Sequence, residues 1–547
     1  MAALCLFTSF GARSQDPFLQ KLTSSLEQYE AKEQKEKIYL QTDKSFYLSG
    51  EICWFKSYCV DAAMQRPFAL SKVAYVELIN GVGKPVLQGK IALEKGIGSG
   101  SFFLPPSLPS GAYKIRSYTN WMKNFGPEYF FEKNITVVNT LKIDRDSLPS
   151  KSAGIDIQFF PEGGNLVDGI PSVVGFKATD EQGKGISVEG DIVGTDGKPL
   201  VHFQSQLFGM GRFTFTPSSG IAYKAYVKTG GNRLTVASFP TVVSKGFTLD
   251  VESSTDSMVT INAFSNIDEG GKPLYLVIHT RGIVKYTALM PITNGKATLN
   301  VSKSKLGEGI STITLFSADQ RPVSERLIFR MPRALDLAAQ SEMEEYATRK
   351  KISTHIRINS GLTDATRASL GLSVYRIDSL QTEDEADIRA YLYLRSDVSG
   401  YIEHPEYYFN HVSESTQAAL DNLLLTQGWR RFSWENVTGA DNQTFEYVPE
   451  WAGHIVTGRI TEKTSGLPLA NESVNLAGPA IKSQLANSLS NKQGLLLYDF
   501  PNLMGSNVLV MQNDNRTDTN YRLEIFPSPL LLFLPGFPGQ RVRPFYS

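Results

Sequence analysis

His404, Glu406 and His411 lie within the stretch HPEYYFNH and form the one cluster of metal-binding residue types in the sequence. Imidazole and carboxylate groups at such spacing could bind zinc or a related transition metal. None of the six histidines belongs to an H-E-x-x-H motif, however. We therefore interpret the stretch as a polar loop between two helices, with its neighbouring aromatic side chains packed on the sheets: Tyr401, Tyr407, Tyr408 and Phe409.

Two other patterns could carry chemistry. Nucleophilic hydrolysis uses a serine on a G-x-S-x-G elbow, but GIGSGSFF at 96–103 has a different spacing and is typical of a hairpin turn. A phosphate loop ends in G-K-[ST], whereas Gly271-Lys272 is followed by Pro273. The paired acids Glu344-Glu345 and Asp384-Glu385 fall in charge runs, which indicate a solvated face. The sequence therefore predicts no catalytic, cofactor-binding or metal-binding residue, no cofactor, and a protein that is not an enzyme.

Trp121 lies close in sequence to three further aromatic residues, Tyr129, Phe130 and Phe131. Such a group could form an exposed platform for a ligand, or it could pack in a core or between domains. Packing is the interpretation that we favour.

The composition describes a β-rich protein of several domains. Its 547 residues are enough for roughly three to five domains. With 41% hydrophobic and 20% charged residues, each domain can bury a core. Lys plus Arg equals Asp plus Glu at 55 each, so no long-range field favours nucleic acid, and we expect no nucleic-acid partner. Many glycines and aromatic residues suit short strands joined by tight turns.

The N-terminal residues indicate export. Residues 2–10 form a short apolar run that suits a signal peptide with cleavage before Gln15, although a buried N-terminal segment is the alternative. We expect the mature chain in the periplasm or at the outer membrane. No later run approaches the ~18 apolar residues of a transmembrane helix. Cys53 and Cys59 share one predicted strand and lie roughly 20 Å apart at ~3.3 Å per residue, too far for a disulfide.

Periodicity predicts a mainly β fold with one helical lead-in and a helical insertion. Residues 16–37 read as a helix with Phe18, Leu22, Leu26 and Tyr29 on one face and a solvated charged end. Alternating strands with Gly and Asn turns follow as antiparallel sandwiches. The predicted units are a signal peptide at 1–14, a helical lead-in at 15–37, sandwiches at 38–142, 153–244 and 245–332, a partial sandwich at 333–450 with the insertion near 381–435, a sandwich at 451–526, and an aberrant or disordered tail at 527–547.

The partial sandwich carries the least regular pattern. KKISTHIRI and SLGLSVYRI predict a strand pair around Gly361. DEADIRAYLYLRS and SESTQAALDNLLLTQGWRRF predict two helices, the second with Ser413 as its N-cap and Leu420, Leu423 and Leu424 as its buried stripe. Five prolines in the tail oppose strand pairing, so we expect that deletion of 527–547 leaves the melting temperature unchanged.

The segment IYLQTDKSFYLSGEICWFKSY (38–58) resembles the opening of the second macroglobulin domain of alpha-macroglobulins. The residues that fall on the family pattern are Thr42, Asp43, Lys44, Tyr47, Gly50 and Phe55. LPSGAYKIRSYT (108–119) is similar to a later strand of that domain. The resemblance implies tandem immunoglobulin-like or macroglobulin-like β-sandwiches.

Further segments resemble recurring parts of large bacterial envelope proteins that carry this domain. They are FFPEGGNLVDGIPSVVGFKA (159–178), FGMGRFTFTPSSGIAYKAYV (208–227), GISTITLFSADQRPVSERLIF (309–329) and LLLTQGWRRFSW (423–434). GRITEKTSGLPLANESVNLAG (458–478) is similar to a carboxypeptidase-regulatory-like domain of the kind found before TonB-dependent receptor plugs.

The resemblance implies two functions from different classes. The first is a non-enzymatic envelope binding or scaffold protein, whose partner is a protein such as a TonB-dependent outer-membrane transporter, or a glycan or peptide ligand. The alternative is an endopeptidase-inhibitor-like macroglobulin without the internal thioester, since no cysteine is followed by Glu-Gln. Under that alternative, the polar 335–355 stretch is the expected protease-sensitive segment.

Overall fold

A computed structural model describes residues 16–142, 155–181, 183–229, 234–253, 257–359, 368–376, 387–410, 412–427, 434–439, 445–478, 484–501, 503, 508–514 and 519–526. The predicted signal peptide, Gly361, His411 and the tail at 527–547 lie outside these residues. The chain is mainly β, which confirms the predicted fold class.

The first sandwich packs a three-stranded sheet, ordered β1-β3-β6, against a five-stranded sheet, ordered β2-β8-β7-β4-β5. Alternating side chains such as Ile38, Phe55 and Ile115 fill the space between the sheets. Its strands are β1 (Glu36–Thr42), β2 (Phe46–Leu48), β3 (Ile52–Asp61), β4 (Val73–Ile79), β5 (Pro85–Ala92), β6 (Ile97–Phe103), β7 (Gly111–Tyr118) and β8 (Phe131–Val138).

The second sandwich pairs sheets ordered β14-β11-β9 and β13-β12-β15-β16, around a core rich in phenylalanine. Strands β10 and β17 form a short parallel pair beside it. The strands are β9 (Ile155–Pro161), β10 (Leu166–Val167), β11 (Ser172–Asp180), β12 (Val188–Val193), β13 (Pro199–Gln204), β14 (Met210–Phe215), β15 (Lys224–Thr229), β16 (Leu234–Ser238) and β17 (Val242–Val243).

The third sandwich pairs sheets ordered β18-β19-β22 and β21-β20-β23-β24. Its strands are β18 (Phe247–Glu252), β19 (Met258–Ser265), β20 (Leu274–Thr280), β21 (Ile283–Met290), β22 (Lys296–Ser302), β23 (Gly309–Phe316) and β24 (Pro322–Arg330).

The last sandwich pairs sheets ordered β30-β27-β32 and β29-β28-β31. Its strands are β27 (His454–Glu462), β28 (Ser473–Gly478), β29 (Gln484–Leu489), β30 (Leu495–Phe500), β31 (Val510–Asn513) and β32 (Tyr521–Ile525).

The predicted strand pair around Gly361 is wrong. Strand β26 (Thr354–Asn359) pairs with β25 (Asp336–Ser341) instead, and residues 368–376 contain no strand. The hairpin projects into solvent, with every residue of β25 exposed. Period-two patterning marks residues that can form a strand, but it does not say which partner closes the ladder.

Five α-helices lie among the described residues: α1 (Pro17–Glu33), α2 (Ile388–Tyr393), α3 (Tyr407–Asn410), α4 (Glu414–Thr426) and α5 (Trp434–Thr438). Ser413 caps α4 as predicted, and Leu420, Leu423 and Leu424 are buried. Helices α2 and α4 are shorter than the predicted ones. In the part of the chain that the structure describes, no helix is long and apolar enough to span a membrane.

Helix α1 begins at the Asp16 cap, whose carboxylate accepts from the Phe18 and Leu19 amides, and it ends before Gln34, which has a left-handed backbone. Its apolar face packs on the third sandwich rather than the first. The prediction that its charged end is solvated is wrong for the last residue of the helix and for three residues after it, because their side chains are buried. They are Glu33, Lys35, Glu36 and Lys37.

Candidate functional site

The predicted polar loop at 401–411 contains no metal site among its described residues. His404 Nδ1 lies 3.0 Å from Glu406 Oε1 on the surface. Throughout the described ranges, no group of three His, Cys, Asp or Glu side chains could hold a metal ion. Tyr408 and Phe409 are buried as predicted, whereas Tyr401 and Tyr407 are exposed, which corrects half of that prediction.

The stretch at 96–103 is a strand, not the predicted hairpin turn. Only Lys95 and Gly96 form the turn, and residues 97–103 form β6 against β3. A Cβ at Gly100 would lie 2.7 Å from both Ile91 and Phe55, so glycine here allows the two sheets to pack closely. Gly100, which helped to suggest a turn in the sequence, is therefore explained by the close packing of the two sheets.

The strongest candidate site is a cavity of about 460 Å³ where the first three sandwiches and the helices meet. The end of α1 and the loop after β3 form one wall, at Lys35, Ala62 and Ala63. Residues 159–164 of the second sandwich, the β20–β21 turn and strands β23 and β24 form others, and α4 closes the space. The volume lies within the range of small-molecule pockets, about 300–1,000 Å³.

Three segments that resemble parts of bacterial envelope proteins, 159–178, 309–329 and 423–434, converge on this cavity. The stretch FFPEGG (159–164) comprises the end of β9 and the loop after it, and in this loop Gly163 forms a β-bridge with Glu325 of β24. Ser324 Oγ donates to Gly163 O at 2.8 Å. The segment that begins at Leu423 supplies Leu424, Leu425 and Gln427 to the lining, and Trp434 Nε1 donates to Glu325 Oε1 at 3.0 Å.

A chain of ion pairs fastens the same junction. Arg326 of the third sandwich donates from Nε to Glu162 Oε1 of the second sandwich at 2.7 Å. It also donates from Nη2 to Asp421 Oδ1 of α4 at 2.6 Å, and Arg212 of β14 pairs with the other Asp421 oxygen. The side chains of Glu162 and Arg326 are each 3% exposed. Two sandwiches and a helix are thus joined through a buried Glu162–Arg326 pair, which continues to the partly exposed Asp421 and Arg212.

Burial raises the pKa of Glu162 to about 7, against the opposing effect of the Arg326 guanidinium. The Asp421 and Asp250 carboxylates add to the rise. The folded state therefore binds a proton at Glu162 more tightly than the unfolded chain does. The contribution of Glu162 to the free energy of unfolding is therefore largest below pH 4.5, and it is lost as the pH rises through about 7.

We expect Glu162→Gln to remove this pH dependence. Between pH 4.5 and 7, the free energy of unfolding of the native protein should fall relative to the variant, by on the order of 3 kcal/mol. Urea unfolding of both proteins across that range measures the difference. A constant difference, or one that grows in favour of the native protein with pH, would contradict the assignment.

At the α1 end of the cavity, buried cations and carboxylates are paired. Lys37 Nζ donates to Asp397 Oδ1 at 2.5 Å, and Arg281 Nη1 lies 3.7 Å from Asp397 Oδ2. Lys35 pairs with Glu33. The sequence did not predict these groups, because a Glu-Lys run normally indicates a solvated face. The segments that resemble envelope proteins, which form the neighbouring walls of the cavity, were the available indication of a site here.

Three titratable groups on the cavity lining make hydrogen bonds within the protein: Glu162, His279 and Glu325. Glu325 accepts from Trp434 and Thr314, and Glu162 accepts from Arg326 and the Val251 amide. Burial lowers the pKa of His279 to about 4, so its imidazole is neutral near pH 7, and its Nδ1 accepts from the Gly282 amide. A general acid or base needs a proton position that is open to substrate, whereas these groups are engaged within the protein.

A second polar junction joins the last sandwich to the first. Residues 445–450, which we name the strap, run along the first sandwich. Asn124 exchanges two hydrogen bonds with the Tyr447 backbone, of 2.7 and 2.9 Å. Glu450 accepts from Tyr75 Oη and the Ile455 amide. Trp121 packs against Phe445 with ring centroids 4.6 Å apart and is buried, so the predicted packing role of this aromatic group is confirmed.

The outer face of the first sandwich carries an exposed apolar patch of Ile52, Trp54 and Phe103. Ile52 and Phe103 are directly paired across β3 and β6, and Trp54 follows on the same face. Trp54 and Phe103 are each 57% exposed. Exposed aromatic patches of this kind commonly mark interaction surfaces.

No protein-family model and no curated protein matches the chain. Among solved structures, the native conformation of Escherichia coli alpha-2-macroglobulin aligns at 11% identity over 60% of this chain and 25% of that chain, with a TM-score of 0.17. The elastase-activated E. coli protein aligns at 11% over 90% and 43%, with a TM-score of 0.22. A biofilm-associated protein BSP domain aligns at 11% over 53% and 65%, with a TM-score of 0.20.

The chain thus spans between a quarter and 43% of the length of these two macroglobulin structures. Likeness at this level identifies no activity, substrate or partner. The mainly β architecture rests on the chain's own sheets.

Proposed function

We propose that the chain is a non-enzymatic binding and scaffold protein of the bacterial cell envelope, and that it works beside a TonB-dependent outer-membrane transporter. The segments that resemble envelope proteins and the signal-like N-terminus support this location. We expect the mature chain to begin near Gln15.

The observation that carries the scaffold role is the ion-paired junction of Glu162, Arg326 and Asp421. Buried charges cost solvation free energy, and pairing them across domains fixes how the domains meet. An assembly that holds partners at set positions needs such fixed domains, whereas independent domains on linkers would reorient. The engaged state of the cavity carboxylates supports a role without catalysis.

Photocrosslinking in the native host tests the partner. We expect a benzoylphenylalanine residue in place of Trp54 to yield an adduct with a TonB-dependent transporter, because an exposed aromatic patch suits a protein interface. The matched control is the same substitution at Val82, which is 87% exposed in the β4–β5 turn, away from the patch. Adducts at neither position, or equally at both, would count against the proposal.

The protease-inhibitor alternative is favoured by one observation, the exposure of residues 342–353 between β25 and β26. Arg349, Lys350 and Lys351 all lie in this loop, so we expect trypsin to cut here first. The matched control R349Q/K350Q/K351Q should resist this cut. Gel electrophoresis then shows whether the protease stays bound.

Capture of trypsin after the cut would favour the inhibitor and would contradict the scaffold proposal. Cleavage without capture is the result that we expect. A first cut outside 342–353 would show that the hairpin is protected in solution.

A further inference from the structure

The guanidinium of Arg281 lines the cavity and retains hydrogen-bonding capacity. Its Nε donates to Ala63 O at 3.0 Å and its Nη1 donates to Glu308 O at 2.8 Å. Its Nη2 donates to no residue that the structure describes, although the side chain is only 10% exposed. Asp397 pairs with Lys37 through Oδ1 at 2.5 Å and lies 3.7 Å from Arg281 Nη1 through Oδ2, so this ion pair leaves Nη2 unused.

The local backbone places this guanidinium at a conformational cost. Arg281 and Gly282 form the two-residue turn between β20 and β21, with φ of +48° and +82°. This turn favours Asn-Gly, and Asn294-Gly295 forms one of the same kind later in the chain. A bulge at His279 precedes the turn. Bulges and left-handed non-glycine residues cluster at functional sites.

The remaining lining gives the cavity an amphipathic character. Pro161, Ile310, Leu424 and Leu425 supply apolar surface, while Lys35 lies on the same wall as Ala62 and Ala63. Four carboxylates also belong to the lining, and three of them already accept hydrogen bonds from Arg326, Trp434 and Lys37; the four are Glu30, Glu162, Glu325 and Asp397. Pockets with mostly apolar walls and a few convergent polar groups are typical of small-ligand sites. The polar groups here include an arginine edge that suits a carboxylate.

We propose that the cavity binds a small organic carboxylate, which accepts a hydrogen bond from Arg281 Nη2 while its apolar body packs on Pro161, Leu424 and Leu425. The carboxylate replaces the water that would otherwise solvate this edge of the guanidinium. This inference goes beyond the scaffold role and does not depend on an envelope partner.

Calorimetric titration of the full chain with 1-naphthaleneacetate tests the proposal, with 1-naphthaleneacetamide as the neutral probe of the same shape. We expect saturable one-to-one binding of the anion. The amide should bind about 10- to 100-fold more weakly, since a charge-assisted hydrogen bond is lost. The absence of anion binding up to millimolar concentration, or equal affinity for both probes, would overturn the assignment.

Two variants locate the site. R281N should lose a similar factor in affinity for the anion. Asparagine suits the turn, and the loss of the hydrogen bonds to Ala63 O and Glu308 O should lower the melting temperature. A63F should block binding by filling the cavity beside Arg281. The control R321Q changes an arginine that is 77% exposed and should bind like the native protein. Undiminished binding by R281N or by A63F would overturn the proposal. If either variant folds poorly, the difference in affinity of the native protein for 1-naphthaleneacetate and 1-naphthaleneacetamide tests the proposal instead.

Discussion

Arg326→Met should destabilise the protein by about 3–5 kcal/mol, because it leaves the buried Glu162 carboxylate without its cation. The melting temperature of the unit formed by the second and third sandwiches should fall by roughly 10 °C. Thermal unfolding at pH 8 is the appropriate measurement, since Glu162 is then mainly ionised in the native fold.

The control for this prediction is Arg321→Met on the same β-hairpin. Arg321 pairs with Asp319 at 3.5 Å, and both side chains are more than 70% exposed. Its loss should change stability by no more than about 0.5 kcal/mol. The double variant E162Q/R326M should recover much of the loss, because no uncompensated buried charge remains at Glu162. If R326M unfolds no earlier than R321M, the junction does not stabilise the fold.

Gly163→Ala should destabilise the junction by about 2–4 kcal/mol, more than Gly164→Ala. Both glycines have positive φ, +77° and +100°. A Cβ at Gly163 would lie 2.2 Å from Ser324 Oγ and 2.8 Å from the Leu249 amide, whereas a Cβ at Gly164 meets nothing within 4 Å. Both variants introduce backbone strain, but only the alanine at position 163 collides with the third sandwich. The difference between the two variants therefore measures the effect of the collision.

Hydrogen exchange checks where the effect lies. In G163A the amides of β24 should exchange faster, because the Ser324 contact and the Gly163–Glu325 bridge are lost. In G164A those amides should stay protected, with a loss of about 1–2 kcal/mol from strain alone. Equal losses in the two variants would show that the loop moves away from β24 without cost.

The sequence predicts most of the fold but little of the site. Alternation in stretches such as 131–138 and 210–215 predicts strands, because each of these strands buries one face. The Ser413 cap and the leucines of α4 are local signals and were predicted correctly. The partner of β26 was not, since pairing over a distance depends on the whole fold.

The site could not be predicted because its residues are separated by hundreds of positions. Glu162 and Arg326 are 164 residues apart and Lys37 and Asp397 are 360 apart. Because charged residues are mostly exposed, the residue type alone predicts that each of these four side chains lies on the surface. Only the arrangement of the sandwiches reveals that water is excluded between them.

The strap also determines how the protein responds to mechanical force. Lys72 donates to Glu450 O at 2.9 Å, and Asn120 Nδ2 donates to Val448 O at 2.9 Å. Tension applied to the last sandwich is therefore transmitted through these bonds and the Tyr447 contacts directly to the first sandwich. The second and third sandwiches lie outside this path, so a pull on the last sandwich loads the strap before it reaches the cavity.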